Sequence, residues 1–76
     1  MRNYSAYRQL ACAIIHDGVL AYKKGIREGY YRSTRQYLNN PFYQTIVEII
    51  LHCTVDELLD EVERNYFYEK QSVEGH

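Results

Sequence analysis

Apolar and small residues recur along the first third of the chain at alternating intervals of three and four positions. The repeat consists of Tyr4, Tyr7, Ala11, Ile14, Gly18, Ala21 and Gly25. A second apolar row runs beside it: Ile15, Val19, Tyr22 and Ile26. Heptad-like spacing of this kind is typical of one α-helical face. The pattern predicts a helix from about Tyr4 to about Arg27 that packs on two sides.

Small residues within the repeat indicate a close helix–helix contact. A glycine inside a helix costs roughly 1 kcal/mol relative to alanine, so we expect Gly18 to lie where another backbone approaches. We predict that this approach comes from a second copy of the chain; the alternative is a tolerated local defect. The predicted self-association surface is Tyr4, Tyr7, Ala11, Ile14, Gly18 and Ala21.

The segment after the first helix contains signals for a short second helix. Gly25 and Gly29 are expected to end the first helix, because glycine is favoured just past helix C-termini. Ser33 and Gln36 fit a capping box, in which the two residues satisfy each other's backbone N–H groups. We therefore predict a short helix over Thr34–Leu38.

Asn40 and Pro41 mark the start of a third helix. Asparagine is a favoured N-cap, and proline suits the first helical position because its missing N–H needs no partner there. The helix is expected to end at about His52. Its predicted inner face is Phe42, Ile46, Ile49, Ile50 and Cys53.

Thr54 and Glu57 form a second capping box, which predicts a fourth helix from Val55 to about Glu69. Asp60 and Arg64 lie four positions apart and are expected to pair weakly. The apolar stripe of this helix is Val55, Leu58, Leu59, Val62 and Tyr66. Its water-facing acids are Asp56, Glu57, Asp60, Glu61 and Glu63.

The sequence thus predicts an all-α fold: a small bundle of one long N-terminal helix, one short helix and two further helices. The 76 residues are expected to form a single domain over 1–70 and a disordered tail over 71–76. A chain of this length buries only about 60% of its unfolded surface, so its core is marginal alone. Such chains usually need disulfides, a metal or a partner subunit, and we expect a homo-oligomer.

The two cysteines, Cys12 and Cys53, lie among apolar residues and lack zinc-ligand spacing. We predict that both are small core residues; a disulfide between them is the alternative. The first residues do not resemble a signal peptide, and the longest apolar run, Ile49–Leu51, is too short to cross a bilayer. We expect a cytoplasmic protein without membrane contact.

Charge differs between the two halves of the chain. Residues 1–40 have seven basic and two acidic residues, a net charge of +5, whereas residues 41–76 have two basic and eight acidic residues, a net charge of −6. This asymmetry indicates either an anionic ligand on the basic half or neutralisation of one half by the other.

The stretch "GIREGYYRSTRQYLNN", residues 25–40, combines guanidinium groups with flat aromatic rings. Guanidinium groups match phosphate and carboxylate geometry, and tyrosine rings stack on bases. The predicted ligand or partner surface is Lys23, Arg27, Tyr30, Tyr31, Arg32, Arg35 and Tyr37. Three interpretations stay open: an acidic protein surface, a nucleotide site, or a solvated connection whose tyrosines cover the edge of the core.

Motifs of catalysis and of metal binding are missing from the sequence. His16 and Asp17 are neighbours, so on a helix they point about 100° apart and do not form an acid–base pair. A Cys12–His52 pair built across the fold is the remaining catalytic alternative. We predict no enzyme, no cofactor and no metal. The apolar third helix and acidic fourth helix argue against duplex DNA as a partner.

The segments "ACAIIHDGVLAYKKGI", "RQYLNNPFYQTI" and "VDELLDEVERNY" resemble a family of small all-helical proteins encoded by bacteriophages and integrative elements of Firmicutes. Gly18 and Ala21 replace the family's usual Ala and Asp, and "YLNNPFY" lacks the basic and Trp positions of its aromatic segment. The matching positions are Ala11, Ala13, Ile14, Ile15, Val19, Tyr22 and Lys23. The resemblance implies a mobile-element protein inside a bacterial cell and supplies no catalytic residues.

We therefore expect a non-enzymatic accessory protein that acts by binding, most simply by inhibiting a host defence system. The acidic fourth helix would then mimic nucleic acid or be an ordinary solvated face. One alternative is a sponge that sequesters a nucleotide signal through the Arg/Tyr residues of segment 27–37. Another is a structural or regulatory interaction module.

Overall fold

The computed structural model describes the backbone of residues 2–74 and the side chains of residues 6–69. Its four α-helices are α1 (Arg2–Glu28), α2 (Tyr31–Leu38), α3 (Pro41–Leu51) and α4 (Val55–Glu74). The long helix α1 contacts each of the other three, and α4 also contacts α2 and α3. The predicted all-α bundle is confirmed.

A small core lies between the four helices. Its buried side chains are Ile15, Tyr22, Leu38, Tyr43, Val47, Val55, Leu59 and Val62. Burying a side chain of this size contributes about 1.5–3 kcal/mol to folding stability. The stability of the fold therefore depends on a small number of residues. The predicted apolar stripe of α4 is confirmed at four of its five positions, because Val55, Leu59 and Val62 are buried and Leu58 packs against them; the fifth, Tyr66, is half-buried.

The predicted inner face of α3 is confirmed for Ile46, Ile50 and Cys53, which pack against the core, and is wrong for Phe42 and Ile49. Tyr43 and Val47 face the core, whereas Phe42 and Ile49 are 66% and 64% exposed. Almost every turn of α3 has apolar residues on several sides, so periodicity does not identify the buried face. Tyr43 can enter the core because its hydroxyl donates to the backbone carbonyl of Ile15 across 2.9 Å, which satisfies a buried polar group.

Gly18 permits a close approach within one chain. A Cβ atom at this position would lie 2.6 Å from Cζ and 2.7 Å from Cε2 of Tyr43, too close for any real side chain. The tight helix–helix contact predicted at Gly18 is therefore confirmed, but its placement between subunits is wrong, because the Tyr43 ring of α3 in the same chain occupies this space.

The turn between α1 and α2 is tighter than predicted. Gly29 adopts a φ of +88°, which glycine reaches without steric cost, and both Gly29 and Tyr30 donate their N–H groups to the Gly25 carbonyl at 2.8 Å. As a result α2 already begins at Tyr31. Ser33 lies inside the helix, so its predicted capping box is wrong.

The other two predicted caps are confirmed. The Asn40 side chain accepts a hydrogen bond from the Tyr43 N–H at 2.8 Å, and Pro41 opens α3. The Thr54 N–H donates to Oε1 of Glu57 at 2.9 Å, and the Glu57 N–H donates to Oγ1 of Thr54 at 3.1 Å.

Helix α4 is longer than predicted. It continues to Glu74, so residues 71–74 of the predicted tail are helical; Gly75 and His76 lie outside the described residues.

The cysteines occupy different environments. Both are free thiols; Cys53 is half-buried and packs against the core, but Cys12 is exposed. The prediction that Cys12 is a core residue is therefore wrong. The buried side of α1 is centred on Ile15 and Tyr22, and Cys12 lies to one side of that row.

Candidate interaction surfaces

Arg35 of α2 is held inside the chain by four side chains. Its Nη2 donates to the Tyr22 hydroxyl at 2.9 Å and to Oδ1 of Asp60 at 2.8 Å. Its Nη1 lies 3.3 Å from Asp56, and Nη2 lies 3.5 Å from Glu63. Arg35 thus joins α1, α2 and α4 and is not free to bind a ligand as predicted from the sequence.

Tyr22 is the buried member of this cluster. Its hydroxyl accepts from Arg35 and donates to Oε2 of Glu63 at 3.0 Å, so both of its hydrogen-bonding roles are used. Burial raises the pKa of Tyr22; the hydrogen bond from Arg35 acts in the opposite direction, and the one to Glu63 adds to the effect of burial. Tyr22 therefore stays protonated at neutral pH.

The Arg35 guanidinium is a permanent charge in this cluster. Burial alone would lower the pKa of Arg35, but its hydrogen bonds with Tyr22 and Asp60 outweigh burial and raise the pKa above the ordinary value. Acids of α4 compensate this positive charge. Neutralisation between the basic and acidic halves thus takes place within one chain at this cluster.

The five acids predicted to face water on α4 have internal partners. Asp56, Asp60 and Glu63 contact Arg35. Glu61 pairs with Arg64 at 2.7 Å, so the predicted pair of Asp60 with Arg64 is wrong. The remaining acid, Glu57, belongs to the helix cap. These contacts favour an ordinary structural role for the acids over mimicry of nucleic acid.

The structure separates the other residues of the predicted ligand surface. Tyr31 is half-buried and packs edge-on against Tyr22, with ring centroids 6.2 Å apart. Arg32 lies over the Tyr31 ring at 5.9 Å, and Arg27 pairs with its neighbour Glu28 at 3.4 Å.

The remaining three positions lie in different environments. Lys23 is half-buried and Tyr30 is exposed at the α1–α2 turn, whereas Tyr37 is 77% exposed and lines a hollow beside α3. The seven residues predicted as a ligand or partner surface therefore do not form one continuous site.

An apolar surface is formed by residues of α1 and α3 together with Tyr37 of α2. Four of its side chains are large and largely exposed: Tyr7 by 70%, Tyr37 by 77%, Phe42 by 66% and Ile49 by 64%. Smaller and half-buried residues fill the space between them. We define the α1/α3 face as Tyr7, Ala11, Ile14, Ala21, Tyr37, Phe42, Ile46 and Ile49.

Two hollows shape this face. One, of about 170 Å³, lies where Tyr7 and Ala11 of α1 meet Ile46 and Ile49 of α3. The other, of about 300 Å³, lies further along α1, and its lining includes Ile14, Asp17, Ala21, Tyr37 and Phe42. Each end of the face thus combines a hollow with exposed aromatic side chains, Tyr7 at one end and Tyr37 with Phe42 at the other.

The face includes much of the predicted self-association surface. Tyr7, Ala11, Ile14 and Ala21 line its hollows, whereas the side chain of Tyr4 lies outside the described residues. Sequence reasoning missed the contribution of Phe42 and Ile49, which it placed in the core. The available signal was that α3 has more apolar residues than one buried face can hold.

Among the side chains that the structure describes, no His, Cys, Asp and Glu residues form a group of three that could hold a metal ion. Within residues 2–74, no helix has the length and apolar character needed to cross a bilayer. Comparison of the chain with protein-family models, curated proteins and solved structures finds no match.

Proposed function

We propose that this chain is an interaction protein that binds an apolar surface of a second protein molecule through the α1/α3 face and catalyses no reaction. The observation that carries the proposal is the exposure of Tyr7, Phe42 and Ile49 on this one surface. Monomeric proteins rarely expose contiguous apolar patches above a few hundred Å², and larger patches mark binding sites.

The residue types on the face support protein binding. Aromatic side chains are enriched among the residues that dominate binding energy. Tyr7 and Tyr37 have an apolar ring and a polar hydroxyl, which suits a surface that is exposed to water in the free protein and buried in a complex. Arg8 and Asp17 each line one of the two hollows, and charged residues are typical of the rim of protein interfaces.

The proposed biological role is inhibition of a host defence system inside a bacterial cell. The resemblance to proteins of bacteriophages and integrative elements supports this setting. The internal pairing of the α4 acids favours binding through the apolar α1/α3 face, rather than through α4, as the contact on which inhibition depends.

Phage plating tests this role together with the surface. Bacteria that carry individual defence systems would express the wild-type chain, a Phe42→Ser/Ile49→Ser variant, or a Tyr68→Ser control. Tyr68 is 72% exposed but lies on α4. We expect the wild type and the control to raise the plating efficiency of a restricted phage and the double variant to lose this effect. Equal activity of all three would exclude the face, and no effect of the wild type on any system would exclude the inhibitory role.

A nucleotide sponge is the second candidate. The exposed Tyr30 and Arg32 at the α1–α2 turn favour it, although Arg35 is engaged within the chain. Thermal unfolding with cyclic and linear nucleotides tests it, since a ligand at a hundred times its Kd adds about 2.7 kcal/mol of stability. No shift with any nucleotide would exclude the sponge.

A further inference from the structure

We infer that the protein bound at the α1/α3 face is a second copy of this chain, related to the first by a two-fold axis that passes near Ile14. The inference rests on the proposed function, because it identifies the partner of the same face. It is carried by the exposed area of the chain, by the spacing of three residues along α1, and by the match between a protruding side chain and a hollow.

The solvent-exposed area of the chain is larger than that of a compact monomer of the same mass. The molecule measures 48 × 26 × 18 Å and exposes 6011 Å². A compact monomer of 9.1 kDa exposes about 4,900 Å², so the excess is roughly 1,100 Å². A standard stable interface removes about 800 Å² from each partner. Pairing of one face per chain would therefore remove most of this excess.

The spacing along α1 is self-complementary. Tyr7, Ile14 and Ala21 follow each other at intervals of seven residues, which is nearly two helical turns, or about 10.5 Å. If two α1 helices pair antiparallel about Ile14, Tyr7 of each copy lies opposite Ala21 of the other. A two-fold axis repeats this large-on-small contact twice, as an isologous interface requires.

The hollow near Ala21 provides the space that this contact needs. Its volume is about 300 Å³ and its lining includes Tyr37 and Phe42. That is roughly ten times the volume of a water molecule in the liquid, which gives room for the ring of Tyr7. Tyr7 itself is 70% exposed and lies at the opposite end of the face.

The charges at the edges of the face suit an antiparallel pair. Arg8 lines the hollow beside Tyr7, and Asp17 lines the hollow beside Ala21. Antiparallel pairing brings the positive end of one copy toward the negative end of the other, whereas parallel pairing would juxtapose like charges. Complementarity of this kind fixes the orientation of partners.

Light scattering after gel filtration tests the assembly with a matched pair of variants. Ala21→Arg fills the hollow with a bulky charge. Ala13→Arg makes the same change on the same helix at an exposed site that lines neither hollow. We expect the wild type and Ala13→Arg to have twice the 9.1 kDa mass of one chain, and Ala21→Arg to have the single mass. A single mass for the wild type, or a double mass for Ala21→Arg, would overturn the inference.

Loss of fold is checked in two ways. The helical circular dichroism of Ala21→Arg should equal that of the wild type. If it does not, Tyr7→Ser replaces it, because this side chain is mostly exposed and its removal should give the single mass in a folded protein. A folded Tyr7→Ser chain of double mass would also overturn the inference.

Disulfide trapping tests the position of the axis. A residue near a two-fold axis faces its own copy, so Ile14→Cys in a Cys12→Ser/Cys53→Ser background should form a disulfide-linked dimer under mild oxidation. Disulfides require Cα atoms about 4.4–6.8 Å apart. Leu20→Cys, which is exposed on another side of α1, should stay uncrosslinked. Equal crosslinking of both variants, or of neither, would exclude this axis.

The outcomes separate this inference from the proposed function. A monomeric wild type, together with loss of phage rescue in Phe42→Ser/Ile49→Ser, would overturn the dimer and support binding of a different protein at the same face. A wild-type dimer of the expected symmetry without any phage rescue would support the inference and exclude the inhibitory role.

Discussion

The hydroxyl oxygen of Tyr22 accepts a hydrogen bond from Nη2 of Arg35 across 2.9 Å. The guanidinium carbon also lies 5.4 Å from the centre of the Tyr22 ring, within the range of a cation–π contact. Tyr22 is fully buried, and the Arg35 side chain is 26% exposed. Since Asp60 of α4 binds the same Nη2, three helices meet at one guanidinium group.

Replacement of Arg35 should destabilise the fold more than replacement of a neighbouring arginine. Hydrogen bonds to charged groups contribute about 1.5–3 kcal/mol, so we expect Arg35→Gln to lower the free energy of unfolding by about that amount. Arg32→Gln is the control, because Arg32 is exposed and surface changes usually stay within about 0.5 kcal/mol. Urea unfolding measures both. Equal losses would show that the cluster around Arg35 does not stabilise the fold.

A methyl group at Gly18 should destabilise the packing of α1 against α3. Overpacking typically lowers the free energy of unfolding by about 1–3 kcal/mol. Alanine offsets roughly 1 kcal/mol of this loss, because it favours a helix more than glycine does. We therefore expect Gly18→Ala to lose up to about 2 kcal/mol in urea unfolding. In a Tyr43→Leu background the ring atoms that clash are gone, so the same change should cost nothing or stabilise. Additive effects in this double-mutant cycle would contradict the contact.

Two tyrosines should resist ionisation at alkaline pH. Burial raises the pKa of Tyr22 and of Tyr43 above the ordinary 10.0. A raised folded pKa stabilises the protein below the unfolded value, and this stabilisation is lost as pH rises through the folded pKa. Ultraviolet titration should show two of the nine tyrosines ionising late, and Tyr43→Phe should remove one of them. Ionisation of all nine near pH 10 with intact helices would contradict their burial.

The cap of α4 should weaken in acid. The pKa of Glu57 is lowered first by the hydrogen bond from the Thr54 N–H and then by the Thr54 side chain. Because the folded pKa is depressed, its stabilisation is complete above the unfolded value near 4.5 and is lost as pH falls through the folded pKa. The stability difference between wild type and Glu57→Ala should therefore shrink on acidification. A difference that is constant with pH would exclude a charged cap.

The sequence predicts those features whose causes are local. Asn40 next to Pro41, and Thr54 three residues before Glu57, define helix starts through hydrogen bonds that span three residues. The turn after α1 was predicted less well, because the positive φ of Gly29 lets α2 start before the Ser33 signal. A side-chain capping pattern such as the one at Ser33 does not show that the backbone turn at Gly29 has already started α2.

Features that depend on distant residues could not be predicted from local patterns. The partners of Arg35 lie 13 to 28 positions away along the chain. The local sequence shows only the neighbouring basic residues, so it indicated a ligand site and not an internal cluster. Tyr43 was not expected in the core because its acceptor, the Ile15 carbonyl, lies 28 positions away. Because Tyr43 and not Phe42 is buried in the core, the Phe42 side chain stays exposed and contributes to the apolar α1/α3 face.

The concentration dependence of thermal unfolding tests most directly whether a second copy covers the α1/α3 face. Association stabilises the folded chain by mass action, so an assembled protein has a midpoint that depends on its concentration. We expect the midpoint of the wild type to rise over a hundredfold increase in protein concentration, and that of Ala21→Arg to stay constant. A wild-type midpoint that is the same at every concentration would contradict the account.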